Sequence, residues 1–319
     1  MALRQLNLGF NGLGPTEIAA LAVSLQTNPW LQGLDLGSNP IGPDGAASLC
    51  DALQANPACG LHSLGLDFTN VGPLGAARLA TYLSSRRCQL RELRLDGCGL
   101  GPSGATSLSR VLRGDEGTGL GRAVALHSLR LECNQLGDEG ARAIAEGLAG
   151  SPGLLSLYLG CNEIHEEGAR ALGASLALNA ALTVLDVSDN DLRACGLRAL
   201  LEGVRAQQTL VGLDVAACRL GDDGCETLCK EIKRNDTLRF VRVCSNDIGP
   251  TGAQHAALAL ALALTLALAL ALALALALAL APIPALTRAL FLTLTRRARA
   301  RRRHRGERLR QLALRREPQ

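Results

Sequence analysis

The sequence predicts an α/β solenoid, a curved horseshoe with parallel strands on its concave face and helices on its convex face. Three observations predict it. A short apolar pattern recurs nine times between Met1 and about His255, starting at Leu3, Leu31, Leu61, Leu90, Leu126, Leu154, Leu182, Leu210 and Leu238. The intervals are 28 to 30 residues, except for one of 36. Within each unit the apolar spacing changes from two to four, the mark of a strand followed by a helix. Aromatic residues are only 2% of a chain that is 48% hydrophobic. The core must therefore be built from Leu, Ala and Val, which suits stacked units better than a globule with large anchors. One such unit cannot bury its own leucines, so it must stack on its neighbours.

The strand half is clearest at Leu154 to Ile164, LLSLYLGCNEI. Leu157 and Leu159 alternate as strand residues do, and both point to one face. Asn162 follows where the chain turns out of the strand, and its amide can satisfy backbone groups that the turn leaves unpaired. The pattern returns as Leu182, Leu185, Val187, Asn190 and Leu192, and again as Leu210, Leu213, Val215, Cys218 and Leu220. In the helix half a Gly ends the turn in most units, as at Gly42, Gly72, Gly101, Gly137 and Gly221. Pro or Asp follows, Pro with its fixed φ and Asp with a side-chain acceptor for the helix start. A second Gly comes three residues after the first, as at Gly45, Gly75, Gly104 and Gly140, and is expected to let the helix lie close to the neighbouring backbone. Apolar pairs four apart, such as Leu49 and Leu53 or Leu108 and Leu112, then mark one helix face. Asn-Pro or Ser-Pro turns the chain back in several units.

These residues carry the leucine-rich repeat signature, L-x-x-L-x-L-x-x-N/C-x-L. They resemble the ribonuclease-inhibitor type of that repeat. The stretches GPDGA at Gly42 and GDEGA at Gly137 resemble the repeat region of NOD-like receptors. The resemblance implies a non-enzymatic protein-interaction scaffold or regulatory sensor module acting in the cytoplasm, although one fold hosts many functions. NOD-like receptors carry a nucleotide-binding domain before the repeats, and nothing in this sequence corresponds to it. Leu3 already belongs to a repeat, so either the N-terminal edge is exposed or the chain is a fragment. A rival resemblance is to the Ran-activating GTPase activators, which use a similar array. Those proteins carry an acidic segment after the repeats, whereas the tail here is basic. A membrane-anchored repeat receptor is a third reading and depends wholly on the tail.

Charge divides the chain. Residues 1–255 hold 21 Lys/Arg and 27 Asp/Glu, a net −6; residues 256–319 hold 12 Arg and 2 Glu, a net +10. The run 256–281 contains only Ala and Leu apart from Thr265. Both are strong helix formers, so it reads as a helix apolar all round. It is long enough to span a membrane, and three readings compete: a membrane span, a last solenoid helix, or a low-complexity expansion that adds nothing to the solenoid. Residues 282–319 read as an Arg-rich disordered tail. Without interleaved aromatics or zinc-finger spacing, nucleic-acid binding is not favoured.

No H-E-x-x-H, G-x-S-x-G or zinc-spaced cysteine quartet is present, and no catalytic residue, cofactor or metal is expected. The glycine-rich insertion Gly114 to Gly121 lacks the Lys-Ser/Thr of a phosphate-binding loop and reads as a surface insertion. Cys225 and Cys229, four apart on a predicted helix, are either metal ligands or buried thiols. Several of the 11 cysteines occupy repeat positions, Cys98 and Cys218 at the Asn site and Cys133 and Cys161 one residue earlier, which predicts packed, reduced thiols and a cytoplasmic or nuclear setting. After Met1 the first repeat begins at once, so no leader is expected. The candidate partner surface is the concave face. Four residues after each repeat start come Arg94, Arg130 and Tyr158 in the middle of the array; two further on come Asp67, Asp96 and Glu132. Arg and Tyr are common binding anchors. The competing reading is a surface ion-pair ladder that serves solubility.

Overall fold

Alternation within each repeat dictates the sheet. In the computed structural model, residues 2–114 and 126–259 are described. The strands are β1 (Gln5–Asn7), β2 (Gly33–Asp35), β3 (Ser63–Gly65), β4 (Glu92–Arg94), β5 (Ser128–Arg130), β6 (Ser156–Tyr158), β7 (Val184–Asp186), β8 (Gly212–Asp214) and β9 (Phe240–Arg242). Each begins two residues after its repeat-starting leucine. The helices between them are α1 (Pro15–Leu25), α2 (Gly42–Ala55), α3 (Gly72–Leu83), α4 (Gly101–Arg113), α5 (Gly137–Ala149), α6 (Glu166–Leu176), α7 (Arg193–Ala206) and α8 (Gly221–Ile232). The strands form one parallel sheet in chain order, and each helix packs on the next. This is the leucine-rich repeat solenoid.

Register places like on like. Leu64, Leu93, Leu129, Leu157 and Leu185 stand directly opposite one another in successive strands and are buried. The core runs continuously through the stack. Among the described aromatics only Tyr82 is fully buried; Phe10, Trp30, Phe68 and Phe240 are exposed.

A polar ladder parallels the apolar one. Asn162 Nδ2 donates to Leu131 O (2.8 Å) in the preceding repeat and to Leu159 O (3.0 Å) in its own. Its Oδ1 accepts the backbone N–H of Asn134 at 2.8 Å. Asn39, Asn134, Asn190 and Asn246 repeat this bridging. Where Cys98 and Cys218 take the site, the thiol donates to the matching carbonyl of the preceding repeat, Leu66 O at 2.9 Å and Val187 O at 3.3 Å. The turns are tight: Cys133 and Gln135 flank Asn134 with φ of 56° and 54°, in the left-handed region. The amide's four bonding positions offset that strain.

One expectation about the helix starts needs correction. The aspartates cap the following helix rather than their own. Asp138 Oδ1 accepts the N–H groups of His165 (2.8 Å) and Gly168 (2.9 Å) at the start of α6. Asp222 does the same for Gly249 and Gly252. Stacking places the start of α6, and that of the helical backbone over 250–259, beside the aspartate one repeat earlier. The second glycine does lie close to the neighbouring backbone: a Cβ at Gly45 would stand 3.3 Å from Pro15 Cα and one at Gly252 3.2 Å from Asp222 Cα. A Cβ at Gly140 would meet Leu136 Cβ of its own repeat at 2.8 Å, while the nearest backbone atom, Pro102 Cα, lies at 3.4 Å. A still closer backbone approach occurs later in the helices: a Cβ on Gly203 of α7 would lie 1.9 Å from Gly173 O of α6.

Past β9, helical backbone covers 250–259. Ala259 is buried against Cys225 and Cys229, with Ala256 packed alongside. The first residues of the Ala/Leu run thus pack through alanines, while Leu258 between them is exposed. The rest of that run and the Arg-rich tail lie outside the described residues, as does the insertion beyond Gly114. Among the described residues no helix is long and apolar enough to cross a membrane.

Candidate functional site

The side chains that alternate with the buried leucines form a column across the strand face. Asp35, Gly65, Arg94, Arg130, Tyr158 and Asp186 are successive partners in the sheet register. Gly65 decides the geometry. Its missing side chain leaves a gap through which Arg94 reaches across β3, so that Nη2 donates to Asp35 at 2.9 Å while Nε donates to Asp67 at 2.7 Å. A Cβ at Gly65 would lie 2.7 Å from Arg94 Nη2 and 2.8 Å from Asp35 Oδ1.

The next strand extends the chain of contacts. Asp67 Oδ1 accepts the backbone N–H of Asp96 at 3.1 Å, and Asp96 Oδ1 that of Glu132 at 2.8 Å. Arg130 donates from Nε to Asp96 and from Nη2 to Glu132, both at 2.8 Å. Its guanidinium also lies 4.9 Å from the ring centre of Tyr158, within cation–π range. One network thus runs from β2 to β6. The six predicted residues all belong to it.

Its electrostatics are acid-rich. Four carboxylates (Asp35, Asp67, Asp96 and Glu132) face two guanidiniums (Arg94 and Arg130). Burial pushes the Asp67 carboxyl up, only partly countered by the Asp96 N–H and by Arg94. Burial, then repulsion from Asp96, pushes Glu132 up. Burial opposes the charge on Arg94 and Arg130, but hydrogen bonds to Asp35 and to Asp96 outweigh it and raise both. Further along the face Asp186 accepts from Ser188, and Asp214 pairs with Arg242 at 2.9 Å.

Sequence reasoning left Asp35 and Gly65 out of the site. The signal was a Gly in a column otherwise holding polar and charged side chains, next to an Arg long enough to cross it. Cys225 and Cys229 are buried in a small apolar cluster. Among the described residues no group of three or more His, Cys, Asp or Glu is placed to hold a metal ion.

The family model described as Leucine Rich repeat matches residues 27–50, 88–109, 126–145, 151–173, 179–201 and 206–229. These segments contain β2 and β4 to β8. Among solved structures, the C-terminal domain of tropomodulin from Caenorhabditis elegans is similar with 21% identity, covering 49% of this chain and 90% of that one at a TM-score of 0.41. The yeast Rad7 and Elc1 complex is similar with 15% identity, covering 78% of this chain and 65% of that one at 0.48. Actin-binding site 2 of leiomodin-1 is similar with 16% identity over 50% and 87%, at 0.40. No curated protein matches the sequence. The fold and the matched segments are those of a leucine-rich repeat solenoid.

Proposed function

We propose that the chain is a non-enzymatic protein-interaction module of the ribonuclease-inhibitor type, resembling the repeat region of NOD-like receptors. Its partner docks on the strand face around Arg94, Arg130 and Tyr158, with Asp67, Asp96 and Glu132 beside them. The observation that carries this reading is the Arg130 cluster. A guanidinium held by two carboxylates and laid against a half-buried tyrosine ring is a pre-organised anchor, which lowers the ordering cost of binding. The excess of carboxylates over guanidiniums favours a partner that presents a cationic side chain there. Eleven cysteines without a disulfide support a reducing, cytoplasmic setting.

The competing account, a ladder of surface ion pairs worth about 0–1 kcal/mol each, requires no partner at all. Pull-downs separate the two. The double variant Arg130→Ala, Tyr158→Ala is expected to lose the partners of the wild type, while Arg142→Glu on the helix face keeps them. The opposite pattern would rule out docking on the strand face.

A further inference from the structure

At the N-terminal ends of β3 and β4 lies a cleft of about 410 Å³, lined by His62, Arg86, Arg87, Gln89 and Arg91 with the Cys88 thiol beside them. Its chemistry is the reverse of the strand face. No carboxylate lines it. Among the described residues none of the three guanidiniums has a carboxylate at ion-pair distance, whereas Arg94 and Arg130 each have two. Residues 1–255 are net acidic, yet three arginines fall within positions 86 to 91. Their mutual repulsion is unfavourable unless an anion offsets it.

The scaffold holds these groups in place. The Arg91 N–H donates to His62 O at 2.7 Å, which ties the backbones of the two residues together across neighbouring repeats. In the loop after α3, Cys88 N–H donates to Ser85 O at 3.1 Å and Arg87 N–H to Ser85 Oγ at 3.3 Å. Arg87 Nη1 donates to Gln54 O at 3.3 Å, near the C-terminus of α2. That bond accounts for Arg87 as a partner of the helix dipole. It leaves Arg86, Arg91 and His62 without such a role.

We propose that this cleft binds the phosphate group of a phosphate monoester. The fork of a guanidinium matches two phosphate oxygens. Two forks beside an imidazole surround a dianion, and the remaining volume admits part of the ester's alcohol. The site is separate from the strand face and does not depend on the function proposed for it.

The probe is glycerol 2-phosphate, a phosphate monoester, titrated calorimetrically into the full chain at low ionic strength. The Arg-rich tail contributes background attraction, so the comparison is between variants of equal charge. Arg86→Ala, Arg91→Ala is expected to weaken binding by about tenfold or more, the loss of at least about 1.4 kcal/mol. Arg142→Ala, Arg198→Ala, on helix faces, is expected to change it less than about twofold. Both pairs are exposed, so melting temperatures should match the wild type and exclude misfolding as the cause. Equal losses in the two double variants would mean diffuse charge attraction and overturn the site, as would the absence of saturable binding by the wild type.

Discussion

Asn162 shows what a single residue does in this stack: one amide satisfies backbone groups in two consecutive turns. Asn162→Ala leaves buried N–H and C=O groups unpaired, so a loss of about 1–3 kcal/mol is expected in denaturant melts. That the column would be Asn or a substitute was legible from spacing, because Asn both donates and accepts. That it bridges repeats was not, since a residue spacing does not say whether the partner turn is its own or its neighbour's. The buried thiols make a pH prediction. Burial raises Cys50 and Cys218 from 9.0 to about 12. A thiol whose folded pKa exceeds its unfolded one contributes its full stability below pH 9. That contribution disappears as pH rises from 9 through about 12. Urea midpoints measured from pH 8 to 11 should therefore fall, and the fall should be shallower in a Cys50→Ala, Cys218→Ala variant.

At the scale of the element, the inter-repeat caps and glycine gaps decide how helices and strands are joined. Asp138→Ala should cost about 0.5–2 kcal/mol, as cap removals do, and the lost hydrogen-exchange protection should appear at His165 and Gly168 of the next helix rather than within α5. Protection lost first in α5 would contradict the capping geometry. On the strand side, Gly65→Val fills the gap over which Arg94 reaches Asp35. Arg94 is expected to swing out, which a double-mutant cycle between Arg94 and Asp35 would read as a coupling falling to near zero. Strand positions and helix faces were legible because apolar period reports burial directly. The ion network was half legible: the alternation put Arg94, Arg130, Tyr158, Asp67, Asp96 and Glu132 on one face. Reach across a missing side chain, however, depends on three-dimensional proximity that no periodicity encodes.

For the whole molecule, the nearest-neighbour logic of a solenoid governs how much of the chain each part stabilises. Each helix rests on the one before it, so the last packed surface sets where stability ends. Asp222 holds the N–H groups of Gly249 and Gly252, and Ala259 covers Cys225 and Cys229. Residues to 259 therefore act as a half-repeat that shields α8. A chain ending at residue 259 should melt as the full chain does, because everything that touches α8 among the described residues is retained. A chain ending at residue 249 loses one of the two Asp222 bonds and bares the two thiols. Its melting temperature should drop by about 2–4 °C for each kcal/mol lost, with hydrogen exchange rising first in α8 and leaving α2 to α5 unchanged. Equal melting of all three chains would show that the helix over 250–259 covers α8 without stabilising it. A fall on removing 260–319 alone would assign a supporting role to the rest of the Ala/Leu run.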